Sequence, residues 1–175
     1  MPTSHPNLIS PILYQVLIHQ PRTVLEIGIG TGKYGALLYE YTDVWQQRAK
    51  REVWIDGIEI FKGYRNPLWQ FYNRVIIGDA TEVIDCPGLL EEYDMILMTE
   101  VLEHLTKDAG HAILAKCKQK AKVFLFSYTN SPQEAAHGNE HERHVSDWQE
   151  LDFRFKAECV CGFDPTYLYR TGRNV

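Results

Sequence analysis

Three glycines at alternate positions, Gly28, Gly30 and Gly32, follow an aliphatic run that contains Glu26. Glycine lets a backbone turn sharply and lets a ligand approach it without a Cβ in the way. In doubly wound sheets, turns of this kind bind ligands at the carboxyl end of a strand. The carboxylate of Glu26 would attract a cationic ligand and repel a pyrophosphate. The pattern therefore predicts a site for a ligand with a cationic group, and a strand-to-helix turn without a ligand is the simpler alternative.

Two other ligand classes use glycine-rich turns. A phosphate-binding P-loop has a glycine where this chain has Ile27, and its lysine is followed by Ser or Thr, whereas Lys33 is followed by Tyr34. A dinucleotide fingerprint can be placed from Gly30 to Gly35, although it would begin two residues after the turn has started. An NAD(P)-binding oxidoreductase or epimerase therefore stays open as an alternative.

Alternating strand and helix patterns must position this turn. Five β-branched and aliphatic runs predict strands at 23–28, 53–61, 74–79, 93–100 and 122–128. Segments with helical spacing separate them, among them 67–73, and this alternation is typical of a parallel sheet covered on both faces. Two further runs, 154–161 and 166–171, predict a C-terminal antiparallel hairpin. We therefore expect an α/β fold with a doubly wound, mostly parallel seven-stranded sheet and helices on both faces.

Composition narrows the class of protein. A chain of 175 residues with 45% hydrophobic residues suits one domain over residues 1–175. Its 18 Lys+Arg against 23 Asp+Glu disfavour a nucleic-acid partner on electrostatic grounds. No apolar run approaches the roughly 20 residues that cross a bilayer, and the start of the chain lacks the features of a signal peptide. We therefore expect a cytoplasmic protein with no membrane partner.

The glycine turn and three later motifs, in chain order, resemble class I S-adenosylmethionine-dependent methyltransferases of the small-molecule type. The resemblance begins with VLEIGIGTG at 24–32 and covers nearly the whole chain. Glu59 is similar in position to the family's acid that accepts hydrogen bonds from the two ribose hydroxyls. Asp79 and Ala80 resemble its adenine-contacting turn, and TEVLEHL at 99–105 resembles the segment between cofactor and acceptor. The residues that the resemblance assigns to the cofactor are Glu26, Gly28, Gly30, Gly32, Tyr34, Glu59, Asp79, Ala80 and Glu100.

The resemblance implies a Rossmann-like fold and transfer of a methyl group from S-adenosylmethionine to an O or N atom, or to a C atom, of a small-molecule acceptor. Methyl transfer is an in-line displacement, so alignment of the acceptor matters most, and a base removes its proton where needed. His104 and His144 are the candidate bases, because an unperturbed imidazole has a pKa near 6.5. A protein that binds S-adenosylmethionine without catalysis remains an alternative, and a homodimer is an expected partner state.

In a subset of the family, similar to small-RNA terminal 2′-O-methyltransferases and polyprenyl catechol O-methyltransferases, an ExxEH segment and a later histidine hold a divalent cation. EVLEH at 100–104 and HERH at 141–144 resemble these segments. On a helical turn, residues i, i+3 and i+4 would face one side. The candidate ligands of a cation such as Mg²⁺ are Glu100, Glu103, His104 and His144. Because VLEHL also occurs in members without a metal, no metal is expected from the sequence.

Two segments are expected to cover the site. Residues 8–19 are amphipathic, and residues 1–21 are expected to form an N-terminal lid or helix. Residues 129–145 form a polar loop, which carries His137 and His141 and is expected to lie on the substrate side. No insertion is long enough for a separate substrate-binding domain.

Overall fold

The structure is a computed structural model that describes residues 3–136, 138–163 and 166–172. Seven strands form one sheet in the order β3-β2-β1-β4-β5-β7-β6. Their bounds are β1 Thr23–Ile27, β2 Trp54–Glu59, β3 Arg74–Ile77, β4 Tyr93–Met98, β5 Ala121–Thr129, β6 Glu158–Phe163 and β7 Thr166–Gly172. The first five strands pair in parallel, and β7 runs antiparallel between β5 and β6. The predicted seven-stranded sheet with an antiparallel C-terminal pair is therefore confirmed.

In the described part of the chain, one α-helix precedes β1 and three connect successive parallel strands. They are α1 Ile9–His19, α2 Lys33–Tyr39, α3 Ala80–Val83 and α4 Lys107–Lys120. A π-helical turn, Glu40–Val44, continues α2. None of the helices in the described part of the chain is both long and apolar enough to cross a membrane.

The helix expected over 67–73 is a single 3-10 turn, Pro67–Phe71. The backbone becomes extended at Tyr72, where the chain turns back to the sheet. There the Asn73 side chain accepts a hydrogen bond from the backbone N–H of Ile55 at 2.8 Å, and the Asn73 N–H donates to the Ile55 carbonyl at 2.7 Å. These bonds to β2 outweigh the helical pattern and end the turn.

The sheet has a hydrophobic core on each face, because successive side chains of a strand point to opposite sides. In β1, for example, Leu25 and Ile27 belong to one core and Val24 to the other. Helices α3 and α4 pack on the first face, and α1 and α2 pack on the second. The strand order reverses between β1 and β4, so the segments that follow these strands leave for opposite faces of the sheet and open a crevice at that edge.

Candidate functional site

An open cleft lies at this crevice. The empty space between its walls, including solvent space at its mouth, is about 940 Å³. The cleft is lined by all but one of the residues expected to hold the cofactor, namely Glu26, Gly28, Gly30, Tyr34, Glu59, Asp79, Ala80 and Glu100. The exception is Gly32, which precedes α2 at φ 86° and packs beside the Trp69 ring. Gly32 therefore shapes the turn instead of lining the cleft.

The turn after β1 depends on glycine at two of its lining positions. Gly28 and Gly30 have φ angles of 73° and 51°, in the left-handed region. A Cβ on Gly28 would also lie 2.5 Å from Cγ2 of Val101. The sequence therefore needs glycine here for both conformation and space.

The carboxyl group of Glu26 lies at the base of the cleft and is 1% exposed. Its Oε2 accepts a hydrogen bond from the Tyr72 hydroxyl at 2.6 Å. The same hydroxyl accepts from the Gly35 N–H at 3.0 Å. Burial raises the pKa of Glu26 to about 8, although the bond from Tyr72 acts in the opposite direction. Glu26 is therefore mainly protonated at neutral pH unless a cation lies beside it. Nothing in the sequence pattern paired Tyr72 with Glu26, because they are 46 positions apart.

Two further acids, Glu59 and Asp79, line the cleft. Glu59, at the end of β2, accepts from the N–H groups of Gly30 and Phe61, each at 2.8 Å, and burial raises its pKa. Asp79 caps α3 through Oδ1, which accepts from the N–H and the hydroxyl of Thr81 at 2.8 and 2.7 Å. This leaves Oδ2 of Asp79 for a ligand. Both carboxylates are thus oriented by hydrogen bonds from within the protein.

The N-terminal segment reaches the cleft through residues 3–5. The His5 N–H donates to Oε2 of Glu100 at 3.0 Å, and the Ser4 hydroxyl donates to that of Tyr34 at 3.1 Å. Glu100 has a left-handed φ of 51° at the end of β4, and burial raises the pKa of its carboxyl. The following helix α1 packs against the sheet. A lid role for 1–21 stays a prediction, as does the substrate-side role of 129–145.

A cluster of three side chains lies beside the cleft. One ligand atom from each of Glu103, His104 and His144 lies within 4.8 Å of the other two. Glu103 is fully buried; its Oε1 accepts from the Thr129 N–H at 3.3 Å, and its Oε2 has no hydrogen-bond partner in the described part of the chain. Burial raises the pKa of this carboxyl well above its usual value. A buried carboxylate oxygen without a donor is costly unless a ligand compensates it.

The two histidines of the cluster have matching surroundings. Nδ1 of His104 is 3.2 Å from the Arg143 carbonyl oxygen, and Nδ1 of His144 is 2.5 Å from that of Ser131. Because a carbonyl only accepts, each Nδ1 carries the hydrogen and each Nε2 keeps a lone pair. Burial lowers both pKa values, so both rings are neutral at pH 7. His104 lines the cleft, and the centroid of the His144 ring lies 4.7 Å from that of His104.

The structure does not bring all expected metal ligands together. Glu100 is outside the cluster, because its left-handed backbone and its bond to His5 turn the carboxylate towards the N-terminal segment. The helical turn expected over EVLEH is a 3-10 turn, Leu102–His104, that begins after Glu100. His141 lines the cleft apart from the cluster, and His137 lies outside the described residues.

Solved structures share this fold. Magnesium protoporphyrin IX methyltransferase (ChlM) from Synechocystis PCC 6803, with bound SAM, is 14% identical, with a TM-score of 0.63 over 94% of this chain and 77% of that one. The methyltransferase domain of bacterial CtHen1-C is 15% identical, with a TM-score of 0.63 over 93% of this chain and 95% of that one. An O-methyltransferase family protein from Burkholderia thailandensis is 10% identical, with a TM-score of 0.62 over 95% of this chain and 56% of that one. No family model and no curated protein matches the sequence. The chain therefore has the Rossmann-like fold of the S-adenosylmethionine-dependent methyltransferases.

Proposed function

We propose that this protein is an S-adenosylmethionine-dependent methyltransferase that acts on an O or N atom, or on a C atom, of a small-molecule acceptor. The observation that carries the proposal is the convergence of Glu26, Glu59 and Asp79 with the glycine turn on one cleft of a methyltransferase fold. A fold alone does not imply an activity, whereas a site with chemically matched groups supports one. Cytoplasmic location and a homodimer remain expectations from the sequence.

Each acid suits one part of the cofactor. Glu59 lies at the end of β2, where its carboxylate can accept hydrogen bonds from two ribose hydroxyls. Oδ2 of Asp79 can accept from the exocyclic amine of adenine. Glu26, at the base of the cleft, can balance the ammonium or sulfonium charge. An NAD(P) ligand would instead place a pyrophosphate near Glu26, which disfavours the oxidoreductase alternative.

We further propose that Glu103, His104 and His144 hold a divalent cation. The donor set fits one: it has a buried carboxylate oxygen without a donor and two imidazoles whose Nδ1–H groups face backbone carbonyls. Histidines that bind metals are commonly oriented by such bonds. Two imidazoles favour Mn²⁺ or another first-row ion over the Mg²⁺ considered from the sequence. A cation there would lower the pKa of an acceptor hydroxyl and so favour O-methylation.

His104 also suits the role of base without a metal. Its Nε2 has a lone pair, its ring lines the cleft, and burial lowers its pKa so that it is neutral at pH 7. His144, whose ring lies beside that of His104, would then orient the His104 ring or relay the proton that it takes up. Methyl transfer that survives treatment with a chelator would favour this alternative, and loss of transfer that Mn²⁺ restores would favour the metal.

Calorimetric titration of the chelator-treated protein tests the proposal. We expect S-adenosylmethionine and S-adenosylhomocysteine to bind and NAD to be silent. Binding of NAD alone would overturn the proposal. Titration with Mn²⁺ should give a heat that is lost in His104→Gln and kept in His111→Gln, the matched control on α4. Formation of S-adenosylhomocysteine in a mixture of small acceptors separates an enzyme from a protein that only binds the cofactor.

A further inference from the structure

Two segments of the chain meet at the cleft, one after β2 and the other after β5. The Tyr64 hydroxyl donates a hydrogen bond to Oε1 of Glu142 at 2.6 Å and accepts one from Nδ2 of Asn139 at 3.0 Å. All three residues line the cleft, and Asn139 and Glu142 are buried. The proposed function uses none of them. Their contacts join residues that are 75 and 78 positions apart in the chain.

The order of the strands places these contacts across the cleft. β2 and β5 flank β1 and β4 in the sheet, and neighbouring strands are about 4.8 Å apart. The segments that follow β2 and β5 therefore start about 14 Å apart, on either side of the crevice between β1 and β4. Because Tyr64, Asn139 and Glu142 all line the cleft, their side chains form a bridge over it.

The segment after β2 is the fixed side of this bridge. Nδ2 of Asn66 donates to the Thr31 carbonyl oxygen at 2.8 Å, and Oε1 of Glu59 accepts from the Phe61 N–H at 2.8 Å. The Tyr64 ring packs edge-on against the Phe61 ring, with centroids 4.9 Å apart. Hydrogen bonds on both sides of Tyr64 thus tie this segment to the glycine turn and to β2.

The segment after β5 is anchored at its base, where the Val145 N–H donates to the Glu103 carbonyl oxygen at 2.8 Å. Its tip, residues 138–142, begins at Gly138. Gly138 has a φ of 71°, and no described atom lies within 4 Å of the place that a Cβ would take. Glycine changes its backbone angles more readily than other residues, because it has no Cβ. The tip is therefore the side of the bridge that can move, whereas Tyr64 stays in place.

The bridge lies near the group to which the proposed function assigns the ribose. After burial, the charge of Glu142 contributes to the raised pKa of Glu59, so the two carboxylates are close to each other. A nucleoside held by Glu59 would therefore lie between the edge of the sheet and the bridge. Such a ligand has to pass the bridge when it enters the cleft and again when it leaves.

We propose that Tyr64 latches the tip, residues 138–142, over the cleft, and that this latch opens each time the cofactor enters or leaves. This inference rests on the proposed function. Tyr64 is here a positioning residue, since it acts through Asn139 and Glu142 and not on the reacting atoms. Because one latch stands in the path of both entry and exit, breaking it should speed both steps and leave the affinity nearly unchanged.

Surface plasmon resonance with S-adenosylhomocysteine measures the two rate constants separately. Tyr64→Phe keeps the ring and its contact with Phe61 but removes both hydrogen bonds of the bridge. A hydrogen bond to a charged group changes an equilibrium constant by about tenfold or more. We therefore expect both rate constants to rise about tenfold and Kd to change by less than about threefold. Tyr14→Phe, exposed on α1, is the matched control.

Three outcomes would overturn the inference. The first is unchanged rate constants in Tyr64→Phe. The second is faster dissociation with unchanged association, because it would mean that the hydroxyl contacts the ligand directly. The third is a Glu142→Gln variant that behaves as the wild type, since glutamine keeps an oxygen for the Tyr64 hydroxyl but lacks the charge, and its rate constants should lie in between. In each case the proposed function would stand, whereas failure of the wild-type protein to bind S-adenosylhomocysteine would overturn both.

Discussion

The buried carboxyl group of Glu26 should make cofactor binding release a proton. Its pKa is raised to about 8, so at pH 6.5 about 97% of the ligand-free protein carries this proton. A bound ammonium favours the charged carboxylate and lowers that pKa. Binding of S-adenosylhomocysteine at pH 6.5 should therefore release about one proton from Glu26, and at pH 8.5 about a quarter of one.

Calorimetry in buffers of different ionisation enthalpy measures the number of protons released on binding. This number is the slope of the observed binding enthalpy against the ionisation enthalpy of the buffer. Glu26→Gln has no carboxyl group to titrate, so the slope at pH 6.5 should fall by about one proton and binding should weaken. Subtracting the slope of this variant removes contributions from Glu59 and Glu100, whose pKa values are also raised. Equal slopes in the wild type and in Glu26→Gln would refute the reasoning.

The same carboxyl group should make the ligand-free protein less stable at alkaline pH. Its folded pKa lies above the unfolded value, so its contribution to stability is complete below pH 4.5 and is lost as pH rises to about 8. This shift corresponds to at most about 5 kcal/mol. Glu26→Gln keeps a side-chain oxygen for the Tyr72 hydroxyl. In thermal melts without ligand, the variant should therefore have the higher melting temperature at pH 8.5, and this difference in melting temperature should shrink towards pH 5. A constant difference across this range would contradict the expectation.

Three substitutions test the remaining parts of the site. Glu59→Ala should weaken cofactor binding more than about tenfold, or about 1.4 kcal/mol, in calorimetry, and unchanged affinity would remove Glu59 from the site. Glu103→Gln should raise the melting temperature of the metal-free protein at pH 7.5, since it removes a buried acid. It should also abolish the stabilisation by Mn²⁺, and persistence of that stabilisation would exclude Glu103 as a ligand. Gly28→Ala should destabilise the protein by about 1–3 kcal/mol in denaturant melts, because of its positive φ and the contact with Val101; a neutral effect would show that the turn adapts.

Much of the cleft was predictable from local patterns. Strand, glycine turn and helix are adjacent in the chain, and parallel strands place their carboxyl ends at one edge. Glu59 is the last residue of β2 and Asp79 lies two residues after β3, so their place in the cleft follows from the alternation of strands and helices. The sequence predicted that Glu100 lines the cleft. It did not predict that Glu100 lies outside the cluster formed by the other three candidate metal ligands. Its left-handed backbone redirects the side chain, and the sequence does not indicate such a conformation in a residue other than glycine.

The amino-acid sequence by itself determined the order and type of the strands, the glycine turn and the acids that line the cleft, because each depends on residues that are neighbours in the chain. Only the tertiary structure decided the contacts between distant segments: His144 beside His104, Tyr72 on Glu26, and Ser4 on Lys33. These pairs are 29 to 46 positions apart. Their contacts, and the pKa shifts that burial causes, arise only when the sheet brings the segments together and excludes water from between them.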